Sequence, residues 1–153
     1  MTCRHFRYLT YVLRHKWYVF LESCKLGIPL RGILHDLSKF KASQWFPYVN
    51  YFCALDAAKQ KAKEAFEYAC LEHYHLNPHH WQYWILRKDN GETKILPMSD
   101  QYRREMLADW RGAGRAKNGY DDSKEWYLKN KDKMLLHQET RDWVEKQLNV
   151  KTY

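Results

Sequence analysis

The sequence predicts a compact all-α helical bundle with at most one small β-hairpin, on three observations. Apolar residues recur at helical spacing in several separate segments. The first long segment, residues 4–24, contains neither Gly nor Pro. The clearest hairpin-type turn is Asp89-Asn90-Gly91. A chain of 153 residues is long enough for one domain with a real core and too short for two, so 1–153 is expected to be a single domain.

Each element has a local reason. Residues 4–24 form the first helix. Gly27 and Pro29 mark a turn, and Pro29 opens a second, short helix running to about Leu37. Ser43 is the expected N-cap of a third helix ending near Leu55, its first turns weakened by Pro47. Asp56 is placed to cap a fourth helix, rich in Ala, Lys and Glu, that reaches about Leu76. Asn77-Pro78 breaks that helix. Residues 79–86 are ambiguous, and the Asp89-Asn90-Gly91 turn would pair 85–87 with 94–96 as a tiny ribbon. Pro97 and Ser99 precede a helix over about 100–111, which Gly112 and Gly114 are expected to end. Helices over about 122–134 and 139–149 complete the chain.

Composition narrows the class. Hydrophobic residues are 45% and aromatics 16%, which excludes a disordered tail. The 7 Trp and 12 Tyr fill cores, but rings also line pockets where bases or sugars stack. The formal charge is +8, from 26 Lys+Arg against 18 Asp+Glu. It favours an anionic partner, a phosphorylated small molecule or nucleic acid, while ordinary solubility explains it equally well. Cysteines at 3, 24, 53 and 70 have no CxxC spacing, so they read as reduced core thiols rather than a zinc knuckle or redox motif. The apolar run 17–21 is too short for a signal segment or a membrane span. A cytoplasmic protein with no membrane partner is the expectation; a homo-oligomer is compatible with it.

Polar residues on apolar faces carry the chemistry. Tyr8, Tyr11, Val12, His15 and Val19 share a face of the first helix. Ala62, Phe66, Ala69 and His73 share one in the fourth. Tyr102, Met106, Asp109 and Ala113 do so in the helix near 105. A lone inward histidine is ordinarily a hydrogen-bonded core residue. An inward carboxylate costs several kcal/mol, as an order of magnitude, unless a cation meets it. Asp109 therefore needs a partner: a metal shared with the histidines, or an arginine such as Arg14 or Arg103.

The second helix ends in Ile33-Leu34-His35-Asp36-Leu37-Ser38-Lys39-Phe40. Adjacent side chains on a helix diverge by about 100°, but at a helix end both can reach one ion. Imidazole nitrogen with carboxylate oxygen suits Zn, Mn, Fe or Ni. Lys39, three residues beyond Asp36, is placed to approach a substrate phosphate beside such an ion.

The order His15, His35-Asp36, Asp109 resembles the H…HD…D signature of the HD superfamily, helical metal-dependent phosphohydrolases that act mostly on nucleotides. The stretch His35-Asp36-Leu37-Ser38-Lys39 is similar to that family's HD-x-[GS]-K form. More narrowly, His35 to Phe40, the cluster Asn77-Pro78-His79-His80-Trp81-Gln82-Tyr83-Trp84, and Ala108-Asp109-Trp110 with the following Gly-Ala-Gly-Arg resemble an uncharacterised HD-like family of bacteria and their phages. The likeness spans nearly the whole chain and implies an HD-domain-like bundle with a divalent transition metal (Mn, Zn, Fe, Ni or Co), one ion or two. The tetrad it implies is His15, His35, Asp36 and Asp109. The chain departs from the pattern in a short gap between His15 and His35 and in extra histidines between HD and the last Asp. Two-metal HD proteins place further ligands in that interval. His73 is the first choice for a second-metal ligand or catalytic histidine, and His79 or His80 follows. His75 points about 200° away from His73 and is expected to be exposed.

The reaction implied is phosphate-ester hydrolysis by a metal-activated water, oriented by Asp36 or Asp109. Lys39, Arg111 and Arg115 are candidates to neutralise the phosphate, with solvated surface the competing reading for both arginines. Trp81 or Trp84 is a candidate to stack on a base, and core packing competes for at least one of them. Two other readings stand beside this one: a mixed-valent di-iron oxygenase on the same fold, and a binding module for nucleic acid or protein with a structural metal.

Overall fold

The architecture is mostly α, with one small ribbon. The computed structural model describes residues 3–53 and 56–150. Within them run α1 (Cys3–Lys25), α2 (Pro29–Leu34), α3 (Ala42–Phe52), α4 (Asp56–Leu76), β1 (Ile85–Arg87), β2 (Thr93–Ile95), α5 (Asp100–Asn118), α6 (Ser123–Asn130) and α7 (Gln138–Gln147). Single 3-10 turns at Leu37–Phe40, Trp81–Trp84 and Lys131–Lys133 join them. α1 is the central element and packs along α5 and α2, while α3 packs on α4.

Two apolar clusters frame the molecule. One gathers Met106 and Leu107 of α5 with Tyr127, Met134, Leu136, Val144 and Leu148 from the C-terminal segments. The other gathers Tyr8 and Val12 of α1 with Tyr48, Val49 and Ala69 of α3 and α4. His15 follows Val12 by one turn and Asp109 follows Met106 by one turn, so the helices that carry both clusters also carry the polar residues between them.

The elements depart from expectation in instructive places. The helix expected to stop near residue 111 runs on through Gly112 and Gly114 to Asn118. Those glycines do not end it; they let other backbone come close. A Cβ on Gly112 would meet Val19 Cγ2 at 2.5 Å, and one on Gly114 would collide with Asp122. The stop is Gly119, at φ +88°. Ser43 is not the N-cap of α3; Lys41 is, and the Ser43 hydroxyl instead donates to Glu72 at 3.1 Å. α3 ends at Phe52, and Leu55, like the Asp56 side chain expected to cap α4, lies outside the described residues. The ribbon forms one residue off the expected pairing, Ile85 opposite Ile95, closed by the Lys88 amide donating to the Glu92 carbonyl at 2.9 Å. The segment expected as a single helix over 122–134 is α6 followed by the Lys131–Lys133 turn.

Candidate metal centre

The HD pair is presented by a break in the helix. α2 begins with Pro29 and stops at Leu34, three residues before its expected end. His35 is extended, at φ −50° and ψ 129°. Asp36 takes the left-handed conformation, at φ 56° and ψ 24°. Asp is among the few residues that tolerate it. This break overcomes the helical divergence of neighbouring side chains: His35 Nε2 and Asp36 Oδ2 lie 3.3 Å apart. Lys16 from α1 donates to the Ile33 carbonyl at 3.3 Å and to the carbonyl of His35, covering the exposed end of α2.

Two groups of ligand-type atoms converge there. In the first, His15 Nε2 lies 3.1 Å from Asp109 Oδ1, 3.3 Å from His35 Nε2 and 3.9 Å from Asp36 Oδ2. His35 Nε2 is 3.5 Å from Asp109 Oδ1. In the second, His73 Nε2 and His79 Nε2 lie 3.3 and 3.5 Å from Asp36 Oδ1, and His80 Nε2 is 2.9 Å from His73 Nε2. The donor atoms of His15, His35 and Asp109 are close enough to share one cation, and so are those of Asp36, His73, His79 and His80. Asp36 belongs to the second group through Oδ1 and turns Oδ2 toward the first, 3.3 Å from His35 Nε2. Arg14 and Arg103 do not answer Asp109: Arg14 lies over Tyr18, and Arg103 bonds Asp100 and Glu139.

The outer hydrogen bonds fix which ring nitrogens face inward. Glu105 Oε1 is 3.1 Å from both His35 Nδ1 and His79 Nδ1, so both of those nitrogens carry protons and donate. Ser38 donates to Gln44 Oε1 at 3.1 Å and accepts from Asn77 at 2.8 Å. His73 Nδ1, 3.0 Å from that Gln44 oxygen, is then also a donor. The Nε2 lone pairs of His73 and His79 thus point at Asp36 Oδ1, acceptor against acceptor. Asp36 Oδ1 and His79 Nε2 are buried without any hydrogen-bond partner. Orphaned acceptors in a buried cluster call for a cation, and this nitrogen and oxygen set suits a divalent transition metal.

Three largely buried carboxylates set the electrostatics. Burial pushes the Asp36 carboxyl up, but His35 and Lys39 outweigh it and hold the group well below the usual carboxylate range. Asp109 is likewise held well below, by His15 and His35 against burial. Glu105 is pulled down to about 2, its bonds from His35 and His79 prevailing over burial. Burial lowers His15 and His73, and with the neighbouring His79 holds His80 well below the ordinary value, so these three rings are neutral near pH 7. His35 is the exception: burial lowers it, yet Asp36, Asp109 and Glu105 raise it well above the ordinary range. A proton or a metal ion at His35 Nε2 answers the same field.

Beside the centre lies a cleft of about 480 Å³ whose walls include His79, His80 and Asp109. Asp109 sits at its edge with 16% of its side chain exposed. Tyr11, expected inward, is 42% exposed; it lines the cleft and stacks over His15 with ring centroids 6.1 Å apart. Trp81 also lines it, whereas Trp84 is held against the chain, its indole donating to the Pro78 carbonyl at 2.7 Å. Lys39 pairs with Asp36 Oδ2 at 2.6 Å, and the neighbouring carboxylates raise its pKa against burial. Arg111 and Arg115, expected near a phosphate, lie outside the cleft. They occupy another face of α5, where Arg115 Nε is 3.2 Å and Arg111 Nη1 3.9 Å from the buried Glu22. The cleft's lysines are Lys117 and Lys133, and Lys117 continues the Asp109–Ala113 face of α5 by one turn. His75 is exposed, as expected. Glu105 was not singled out from sequence; its spacing of four before Asp109 is the signal that places it on the same face.

Fold and site together define a mostly helical protein with buried histidine–carboxylate clusters that could hold metal ions. A family profile matches residues 4–150, and the chain belongs to that family, described as a family of unknown function (DUF5662). No curated protein and no solved structure matches the chain. Among the described residues no helix is long and apolar enough to cross a membrane.

Proposed function

We propose that this protein is an HD-type metal-dependent phosphohydrolase acting on a phosphorylated small molecule, a nucleotide first among them. The observation that carries this reading is the pair of adjacent ligand groups, His15, His35 and Asp109 beside Asp36, His73, His79 and His80, at the wall of a cleft. His15, His35, Asp36 and Asp109 would hold one ion, and Asp36, His73, His79 and His80 the other. When bound, divalent ions polarise a phosphoryl oxygen and lower the pKa of a water toward neutrality.

The chain's own residues do the rest. Asp109, ionised and at the edge of the cleft, accepts a hydrogen bond from the attacking water and so orients it. Lys39, expected in the cleft, is not among its lining residues; it remains charged against Asp36 and would add its ammonium's attraction to a phosphate held at the ion there. His73 acts as a ligand, since both its nitrogens are committed. Tyr11 and Trp81 offer rings to the leaving group, and Lys117 offers a charge further along the cleft.

The test is metal analysis joined to a hydrolysis screen over nucleotides, cyclic nucleotides and simple phosphate esters. Bound Mn, Zn, Ni or Co with release of phosphate or a nucleoside supports the reading. Metal-loaded protein that hydrolyses none of them overturns it. The same seven ligands also favour a second reading, a di-iron oxygenase; two irons per chain, an oxidised-iron absorption band and oxygen consumption would select it.

A further inference from the structure

We infer that Glu105 is a positioning residue that makes the two ion sites interdependent, because it holds one histidine of each site with Nε2 turned toward its ion. The inference rests on the metal reading above and adds a residue and a coupling to it.

Glu105 stands on α5 one turn before Asp109 and is buried. Its Oε1 accepts from His35 Nδ1 and from His79 Nδ1, each at 3.1 Å. His35 belongs to the first ligand group and His79 to the second. Their rings lie side by side with centroids 4.4 Å apart, so one cannot turn without meeting the other. Asp36 joins the two groups from within, through its two oxygens. Glu105 joins them from the far side of the rings, through a single oxygen.

The same three residues could themselves hold an ion on the far side, since their donor atoms are also close. An ion there would displace the two Nδ1 protons to Nε2, and neither ring could then ligate an ion beside Asp36. Support for the rings is therefore the role the geometry favours. A carboxylate suits it because an anion can accept two N–H bonds at once and makes both imidazoles better ligands. Its charge is not cancelled by a direct bond. Glu105 Oε2 has no hydrogen-bond partner, and Arg31, which donates to the Tyr102 hydroxyl at 2.8 Å, stays 3.9 Å away.

The experiment uses the full chain and Mn²⁺ alone, in equilibrium dialysis of wild type, Glu105→Gln and His80→Ala. Wild type should bind two ions, and His80→Ala one. Glu105→Gln should weaken both sites together, by about 10- to 100-fold, with an unchanged circular dichroism spectrum. Wild-type affinity in Glu105→Gln, or loss at one site alone, overturns the role of Glu105 and leaves the metal reading standing. Wild type that binds no ion overturns both. A measurement without mutation guards against a variant that does not fold: nitrogen NMR of Zn²⁺-loaded wild type should show His35 and His79 protonated at Nδ1, and the opposite tautomer at either would refute the inference.

Discussion

The C-terminal interior and the polar centre are both buried, and they are stabilised by opposite means. Around Leu107, Tyr127 and Val144 the packing is apolar, and the Tyr127 hydroxyl is satisfied by Glu145. Around Asp36 the contacts are polar, and the acceptors Asp36 Oδ1 and His79 Nε2 are left without a donor where a cation could sit. Burial in the first drives folding. Burial in the second costs free energy that the rest of the fold must offset. The first region should therefore set whether the chain folds, and the second what it binds.

The sharpest way to break that comparison is to take the ions away. At free Mn²⁺ a thousandfold above Kd, one site alone should add about 4 kcal/mol of stability. Thermal melts with ion and with chelator read this directly, and equal melting temperatures would mean the centre holds no metal tightly. Asp36→Asn keeps a residue that tolerates the left-handed backbone but loses the shared ligand, so it should abolish the ion-dependent shift and the activity together.

Leu107→Ala should act in the opposite sense. Leu107 has no exposed surface, and its truncation should cost about 2–5 kcal/mol in denaturant titrations. Metal stoichiometry at low temperature should stay at the wild-type value; loss of ions in this variant would show that the two interiors are not independent.

Lys39→Ala is a smaller change confined to the polar side. Lys39 is not an ion ligand, so metal content should stay near wild type while kcat/KM on a phosphorylated substrate falls, by about tenfold for a lost charge-assisted contact of roughly 1.4 kcal/mol. Unchanged kcat/KM would remove Lys39 from the reaction.

The smallest effect concerns an ionisable pair inside the apolar region. The Tyr127 hydroxyl donates to Glu145 at 2.9 Å, and burial and then that carboxylate push its pKa up to about 12. A phenol with a raised pKa stabilises the fold fully below its unfolded value of about 10, and that contribution disappears as pH climbs through about 12. Tyr127→Phe should cost about 1 kcal/mol at neutral pH and flatten the alkaline loss of stability, as read by urea titrations across that window. An alkaline limb identical to wild type would assign the loss to other groups.

The sequence made the helices and most of the polar centre legible, for reasons that can be named. His15, His73 and Asp109 stand at core positions of strongly periodic helices, where a polar residue is conspicuous. His79 and His80 were visible only as part of a cluster, because their placement depends on a turn rather than a period. Glu105 was hidden among Asp100, Arg103 and Arg104, a stretch that reads as solvated surface; its burial follows from His35 and His79 docking against α5. The end of α2 was overrun because no propensity announces that Asp36 will turn left-handed. Tyr11 shares the inward face in projection but reaches the cleft, and Gly112 looks like a stop signal until a second helix is laid against it.

Gly112 also sets a width. It lies three residues beyond Asp109 on α5, and Val19, which touches it, lies four beyond His15 on α1. The two helices are thus clamped a turn away from the point where His15 and Asp109 face each other at 3.1 Å. A single methyl at Gly112 would act as a shim, prising the helices apart and widening the mouth offered to a cation. The missing side chain serves as a spacer gauge, and the bore of the first ligand group is cut by a residue that never touches it.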